Sequence, residues 1–566
     1  MQIRQVFIQN FRGIQKLEWK PRAGLNCLLG AGDVGKSTVL DAIEATLSPK
    51  RTPFFDTDFP NCDTTKTIEV RITVGELPNE LFEEKKLGHY LRGWTAANEI
   101  RDEPEDGEEP VITLRLTVDG SLDPEWTVIT DRQDPRPMSS SERASLGVVR
   151  LGAETDSIFA WGQFSPLAKM SIAAHGATGL LTDAYRTART LIRDNPIADL
   201  IATAARVRTV SMELGAYAAD EFSAGLDTQR SSTSLATLTL HGEGVPVRMS
   251  GLGTRRLTAL AIQRLSVPEG SIVLIDELEH GLEPHRIRHA LKKLKDQVER
   301  TGENRGQVIL TTHSSVTLEE LKPAQLAVVC EGTASLKVTV PDNSLQDLLR
   351  ANSQALLGRK IIVCEGKTEA GLIRGMRDFW AARHDGEPIE FHGVTLANAG
   401  GSTGPVRATE LSKLGYKVAL FRDSDVALSA TERTRLQAAQ VDIIEWPNSA
   451  STEGAIFVDI SEDGIQALLQ VAYDVKRDAT KVIQSLATDR GLTAAPTDPD
   501  YRTWALMGTT DQLFRALLGD NAKKNSYFKR IDTGESMGQI IAAELEAGRT
   551  LSASVTLDAL EAWAYG

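Results

Sequence analysis

Residues 25–40 read LNCLLGAGDVGKSTVL, and Gly30-Ala31-Gly32-Asp33-Val34-Gly35-Lys36-Ser37 within them satisfies every fixed position of G-x-x-x-x-G-K-[ST]. An apolar run precedes the glycines. STVLDAIEATL follows them with Leu40, Ile43 and Leu47 at helical spacing, so the stretch predicts strand, phosphate loop and helix. Gly30, Gly32 and Gly35 let backbone N–H groups curl around phosphates. Lys36 is placed to reach the β/γ-phosphates and Ser37 the magnesium, with Thr38 beside it at the helix start. The expected ligand is ATP with Mg²⁺.

Working outward, Ile272-Val273-Leu274-Ile275 ends in Asp276-Glu277. A buried strand that delivers two carboxylates at its tip suits the partner of a phosphate loop. Asp276 would support the magnesium and Glu277 would polarise the attacking water. QVILTTHS sets His313 just past another apolar strand, within reach of a γ-phosphate. IRQVFIQNF reads as a further strand, ITLRLTV and EWTVIT as strands of a hairpin or meander, and acid-rich residues 99–109 as a solvated loop between two strands. From about residue 165 to 230 the pattern turns Ala- and Leu-rich with helical period, so 166–245 is expected to be a helical insert, with apolar faces suited to dimerisation. The expected boundaries are 1–165 and 246–340 for the two parts of one α/β domain, and 341–566 for a second α/β domain with a helical C-terminal extension.

That second series carries its own chemistry. KIIVC ends in Glu365, and the strand VALFR ends in Asp423-Ser424-Asp425. Residues i and i+2 of a strand share a face, so Asp423 and Asp425 converge on one cation if the strand holds through Asp425. Neighbouring parallel strands bring their C-terminal tips together, which lets Glu365 join them. Such oxygen ligands suit Mg²⁺ or Mn²⁺ rather than zinc.

Composition sets the limits. The chain has 566 residues, 41% hydrophobic and 25% charged, which excludes a disordered chain and gives three or four domains at about 150 residues each. The 63 Lys and Arg against 77 Asp and Glu leave a net charge of −14, so nucleic acid would need a local basic surface rather than a general one. No apolar run is long enough to span a membrane, and the four cysteines lie far apart without CxxC spacing. A cytoplasmic protein without membrane contact is expected.

The order NFRG (Asn10–Gly13), phosphate loop, Ser250-Gly251-Leu252-Gly253, IVLIDELEHGLEPH and TTHS resembles the ABC-type ATPases of the SMC/RecF group. The resemblance implies that Ser250 and Gly251 cross a dimer interface to the nucleotide on a partner subunit, and that Arg12 touches nucleotide. Thr254 departs from the family's Gln or Glu, and PFFDTDFP (53–60) lacks the family's Gln. The second series resembles a Toprim domain, and the whole chain resembles the OLD (overcoming lysogenisation defect) family, which includes Gabija-type defence nucleases. That resemblance implies a two-metal site held by Glu365, Glu369, Asp423 and Asp425, with Glu453 of STEGAIF as a further acid. It also implies a downstream lysine, for which Lys529 is preferred to Lys523 and Lys524.

The implied activity is nucleotide-regulated, metal-dependent cleavage of DNA in anti-phage defence by a homodimer or dimer of dimers, with a helicase or other defence protein as partner. RNA stays open as substrate, since the phosphodiester chemistry is the same. The alternative is a DNA-binding repair or clamp-type ATPase with a silent Toprim lobe. A topoisomerase or primase fits less well, for want of the tyrosine-bearing or template-handling modules.

Overall fold

The computed structural model describes residues 1–32, 34–78, 81, 87–152, 156–161, 166–170, 197–217, 220–226, 238–266, 270–298, 306–331, 335–504 and 512–566. They form two compact units, Met1–Val340 and Pro341–Gly566. Among the described residues no helix is long and apolar enough to cross a membrane.

The first unit is organised by one large sheet. Its principal strands are β1 (Gln2–Phe11), β2 (Ile14–Trp19), β3 (Gly24–Leu29), β4 (Ile68–Gly75), β5 (Glu109–Val118), β6 (Val148–Leu151), β7 (Ile272–Ile275), β8 (Gln307–Thr311), β9 (Leu326–Glu331) and β10 (Leu336–Thr339). They lie in the order β6-β7-β8-β3-β9-β10-β2-β1-β4-β5. From β6 to β9 the pairing is parallel, and β2, β1, β4 and β5 pair antiparallel. Composition explains the division. IVLI is apolar throughout and QVILT apolar at its centre, and both are wholly buried, as strands covered on both faces must be, whereas β1 and β4 mix buried and half-buried positions. Helix α1 (Lys36–Leu47) buries Val39, Leu40, Ile43 and Leu47, its i, i+3/i+4 face. The acid-rich stretch is a turn between the short strand Ile100–Arg101 and β5, with Arg101 paired to Glu105 and Glu108.

The expectation of a helical insert over 166–245 needs correction in its second half; residues 171–196 lie outside the described ones. Helix α2 (Ala198–Glu213) is present, but Phe222–Leu226, Leu238–Gly242 and Val245–Pro246 form a separate antiparallel sheet. The reason is local. TLTLHG alternates β-branched and apolar residues, and Glu243 (φ 50°) and Gly244 (φ 80°) supply the two positive φ values of a tight hairpin. Helices α3 (Leu252–Leu265) and α4 (Pro284–Val298) follow.

The second unit has four parallel strands, β11 (Lys360–Cys364), β12 (Val394–Asn398), β13 (Lys417–Arg422) and β14 (Asp442–Glu445), in the order β12-β11-β13-β14. The first strand is internal, so the chain switches direction at its C-terminal tip, where α/β sheets bind ligands. Around it lie α5 (Lys367–Arg383), α6 (Gly404–Lys413), α7 (Ala430–Ala438), α8 (Thr452–Phe457), α9 (Glu462–Lys476), α10 (Ala479–Arg490), α11 (Gln512–Asn525), α12 (Ile531–Glu546) and α13 (Ser554–Tyr565). The last five are part of the core, not an appendage. Phe421 of the sheet, Trp380 of α5, and Trp504, Phe514, Phe528 and Ile541 belong to one buried cluster.

Glycine sets how closely those helices dock. A Cβ at Gly371 or Gly375 of α5 would stand 2.4 Å from Ile531 O or 2.2 Å from Glu535 O. Reciprocally, one at Gly538 of α12 would stand 2.4 Å from Leu372 O. Backbone meets backbone, so no rotamer change relieves an added methyl. Gly375→Ala is therefore expected to destabilise the second unit by about 3 kcal/mol, the upper end of overpacking costs. Urea unfolding followed by tryptophan fluorescence checks this; an unchanged midpoint would refute the close-packing account.

Candidate functional site

At the end of β3 the phosphate-loop stretch depends on glycine. Gly30 lies at φ 154°, where a Cβ would meet the Val329 carbonyl oxygen at 2.4 Å, and Gly35 lies at φ 93° as the N-cap of α1. No side chain caps that helix, which leaves its first-turn amides facing the loop, as an anion site requires. Buried Lys36 donates from Nζ to the carbonyls of Gly30 (2.9 Å) and Ala31 (2.8 Å). Ser37 is exposed and Thr38 half-buried, while Gly32 has open space around it; Asp33 lies outside the described residues.

Asp276 stands directly opposite. Its Oδ1 accepts from Ser37 Oγ (3.0 Å) and Thr311 Oγ1 (2.6 Å), and its Oδ2 from Arg150 Nη2 (2.9 Å). Glu277 adopts φ 48°, unusual for a residue with a Cβ, and its amide donates to Thr311 Oγ1 (2.8 Å) while its side chain points to solvent. His313 is exposed, and its amide donates to Glu279. Arg12 donates from Nε to Asp58 (2.9 Å) and pairs with Asp41 through its other end. Ser250 and Gly251 are exposed at the start of α3, with nothing against Gly251. Buried Arg256 of α3 donates to the carbonyls of Asp276 and Glu277, tying that helix to the tip of β7. The parallel half of the sheet thus brings Lys36, Ser37, Arg150, Asp276 and Thr311 together, whereas Arg12 lies in the turn between the antiparallel strands β1 and β2. Sequence reading missed Arg150, Asp41 and Thr311; the arginine in the apolar run VVRL was the one available signal.

A second cluster lies at the tips of β11 and β13. Asp423 N donates to Glu365 Oε2 (3.1 Å). Thr452, at the start of α8, donates from N to Asp423 Oδ1 (2.8 Å), and its hydroxyl lies 2.8 Å from both Asp423 Oδ1 and Glu369 Oε1. Trp446 Nε1 donates to the same hydroxyl (2.8 Å), so its single proton is left to the two carboxylates. Glu369 also caps its own helix through Gly366 N (2.7 Å). Burial, with Asp423 next, pushes Glu369 up to about 7; burial likewise raises Glu365, Asp423 and Glu453. Glu453 is buried with Oε1 lacking any hydrogen-bond partner.

Two expectations change here. The strand does not hold through Asp425. β13 stops at Arg422, because Ser424 N and Oγ turn to Ala450 O (3.0 and 3.3 Å). Asp423 therefore faces Thr452, while Asp425 pairs with Lys523. Lys523 is thus the lysine that reaches Asp425, whereas Lys529, preferred from the sequence, is exposed and near Glu453, and Lys524 pairs with Asp489 (2.6 Å). Sequence reading missed Thr452. Among the described residues no group of three or more His, Cys, Asp or Glu side chains is arranged to hold a metal ion. The chemistry of the donor set nevertheless fits a hard divalent cation: several buried carboxylates raise one another's proton affinity, and one oxygen has no donor.

Residues 1–116 match a family model described as an AAA ATPase domain, and residues 172–319 match one described as "AAA domain, putative AbiEii toxin, Type IV TA system". The first unit is therefore an AAA-type ATPase region, and ATP with Mg²⁺ is its implied ligand. No curated protein matches the chain. Among solved structures it is similar to an SMC head bound to the C-terminal winged-helix domain of ScpA, at 18% identity and TM-score 0.36, over 60% of this chain and 97% of that one. A second is an SMC head with an extended coiled coil bound to the C-terminal domain of ScpA from Pyrococcus furiosus (16%, TM-score 0.35, 60% and 95%). A third is the SMC head domain from Thermotoga maritima (13%, TM-score 0.30, 60% and 100%).

The loop geometry makes separable demands on two side chains. Lys36→Ala removes the cation of the loop and is expected to weaken ATP binding by at least about a hundredfold, in line with losing a charged group from a desolvated phosphate site. Glu277→Gln keeps that cation and is expected to bind ATP normally yet hydrolyse it far more slowly. Calorimetry and phosphate release test both; equal affinity in wild type and Lys36→Ala would remove the loop from the argument.

Proposed function

We propose that this chain is a nucleotide-regulated, divalent-metal-dependent DNA endonuclease, its first unit binding ATP and its second cutting phosphodiester bonds. The observation that carries the nuclease reading is the convergence of Glu365, Glu369, Asp423 and Glu453 at the switch point of a parallel sheet, with burial raising all four. Two divalent cations, when bound, supply an activated water and neutralise the leaving 3′ oxygen. The chain's own part is to hold them. Glu365 and Asp423 share the strand tips, Glu369 and Glu453 close the set from α5 and α8, and Asp425 completes it from the turn. Lys523, already beside Asp425, is the better candidate than Lys529 for stabilising charge on the scissile phosphate. The Toprim and OLD-family resemblance supports this reading, and the anti-phage role belongs to it.

Supercoiled plasmid with Mg²⁺ or Mn²⁺, with and without ATP, is the test. Wild-type protein is expected to nick or linearise the plasmid to an extent that ATP alters, and Asp423→Ala to do neither while still binding ATP. Cells expressing that variant should also lose protection against phage. Equal cutting by both proteins would assign the activity to a contaminant. The Asp425–Lys523 pair and the lack of a formed metal cage among the described residues favour a second reading, a DNA-binding ATPase with a silent second unit, and wild-type protein that shifts DNA but never cuts it would establish that one.

The reading extends to assembly. Exposed Ser250 and Gly251 at the start of α3 are suited to completing the nucleotide site of another copy, which implies a homodimer or a dimer of dimers. Light scattering with ATP is expected to report at least twice 61.6 kDa; a solely 61.6 kDa species at micromolar protein would overturn this assembly.

A further inference from the structure

Asp276 is a carboxylate that must face both a magnesium ion and a polyphosphate, yet its surroundings already hold a cation. Arg150 sits on β6, the strand paired in parallel with β7, in register with Leu274. Its side chain is 9% exposed, too enclosed for a solvated surface arginine. Its guanidinium joins Asp276 Oδ2 at 2.9 Å, Asp41 Oδ1 at 2.5 Å and Glu44 Oε2 at 3.8 Å. Asp41 and Glu44 project from α1, one and about two turns beyond Ser37. Asp41 is shared with Arg12, whose Nε reaches Asp58 at 2.9 Å. The result is a row of alternating charges: Asp58, Arg12, Asp41, Arg150, Asp276. It ends on Asp276 Oδ2, while the other oxygen, Oδ1, accepts from the hydroxyls of Ser37 and Thr311.

We propose that Arg150 is a positioning residue of the nucleotide site: the built-in counter-charge that neutralises and orients Asp276 before magnesium arrives, so that nucleotide can enter a metal-free site. The physical argument is one of charge balance. A half-buried carboxylate without a partner is costly, and one within hydrogen-bond reach of Ser37 also repels a triphosphate seated on the loop. Arg150 removes both penalties. A bound magnesium would supply that neutralising charge itself, and Arg150 would keep Asp41 and Glu44 as partners without leaving its place. Asp276 can thus exchange one cation for another without ever being left unpaired. Lys36 serves the phosphates and Arg150 serves the carboxylate, a division of labour that neither residue could manage alone from its position.

The inference rests on the nucleotide reading of the loop, and the test separates the two. Binding of a fluorescent ATP analogue is measured by anisotropy in EDTA and in saturating Mg²⁺ for the full-length wild type, Arg150→Gln, Arg150→Lys, Asp276→Asn and the double variant Arg150→Gln/Asp276→Asn. Thermal melts confirm folding. Arg150→Gln is expected to lose about tenfold in affinity in EDTA but less than about threefold with Mg²⁺, a magnitude usual for coupling between linked sites. Arg150→Lys should stay near wild type in both buffers. The double variant, which removes both charges, should recover metal-free affinity to within about threefold of wild type. Asp276→Asn should bind metal-free nucleotide at least as well as wild type, a result that can be read even if Arg150→Gln fails to fold. Equal losses for Arg150→Gln in the two buffers, or no loss in EDTA, would mark a merely structural arginine and overturn the assignment. So would weaker metal-free binding by Asp276→Asn, or no recovery in the double variant. Wild-type protein that binds no analogue in either buffer would overturn the nucleotide reading itself, and the assignment with it.

Discussion

A carboxylate at the mouth of a buried parallel strand is costly unless the chain surrounds it with donors or an opposite charge. Both units are organised by that demand. In the first, Asp276 is met by two hydroxyls and the Arg150 guanidinium, all from residues far away in sequence. In the second, Asp423 and Glu369 divide one threonine hydroxyl, and their neighbours Glu365 and Glu453 are raised by burial. The contrast is chemical. The first site sets Arg150 against one strand-tip carboxylate; the second sets Lys523 against Asp425 but leaves Glu369, Asp423 and Glu453 in excess, which is the condition that a divalent metal would satisfy.

The second site depends on helices that touch no reacting group. Glu369 sits on α5, whose distance from α12 is set by Gly371 and Gly375 against Gly534 and Gly538. Glu453 sits on α8, where Gly519 of α11 lets the two helices approach until a Cβ would stand 2.8 Å from Gly454 Cα. Thr368 Oγ1 donates to Phe528 O (3.1 Å), fixing the start of α5 to the segment after α11. Hence the C-terminal hundred residues, almost without chemical signals of their own, position two of the acids. Lys523 comes from the same region.

Departures from the sequence reading have a common origin. A shared face for Asp423 and Asp425 required β13 to hold through Asp425, but the turn at 449–451 presents Ala450 O to Ser424 and ends the strand. Extending helix across 166–245 followed from an Ala- and Leu-rich average, whereas the hairpin in its second half is governed by the pair Glu243-Gly244. In each case a window-averaged signal yielded to one local contact or turn.

By itself the sequence determined the phosphate loop, the helix after it and the strands ending in Asp276, Glu365 and Asp423, because glycine spacing and apolar periodicity are properties of contiguous residues. It also determined the division near residue 340, where one strand series ends and another begins. Only the tertiary structure decided that Arg150 faces Asp276 across 126 positions, that Thr452 serves both Asp423 and Glu369, and that Lys523 rather than Lys529 reaches Asp425 across 98. Those pairings follow from strand order and helix docking, in which residues remote along the chain are brought within hydrogen-bond range, and no local pattern encodes which of several similar side chains will arrive there.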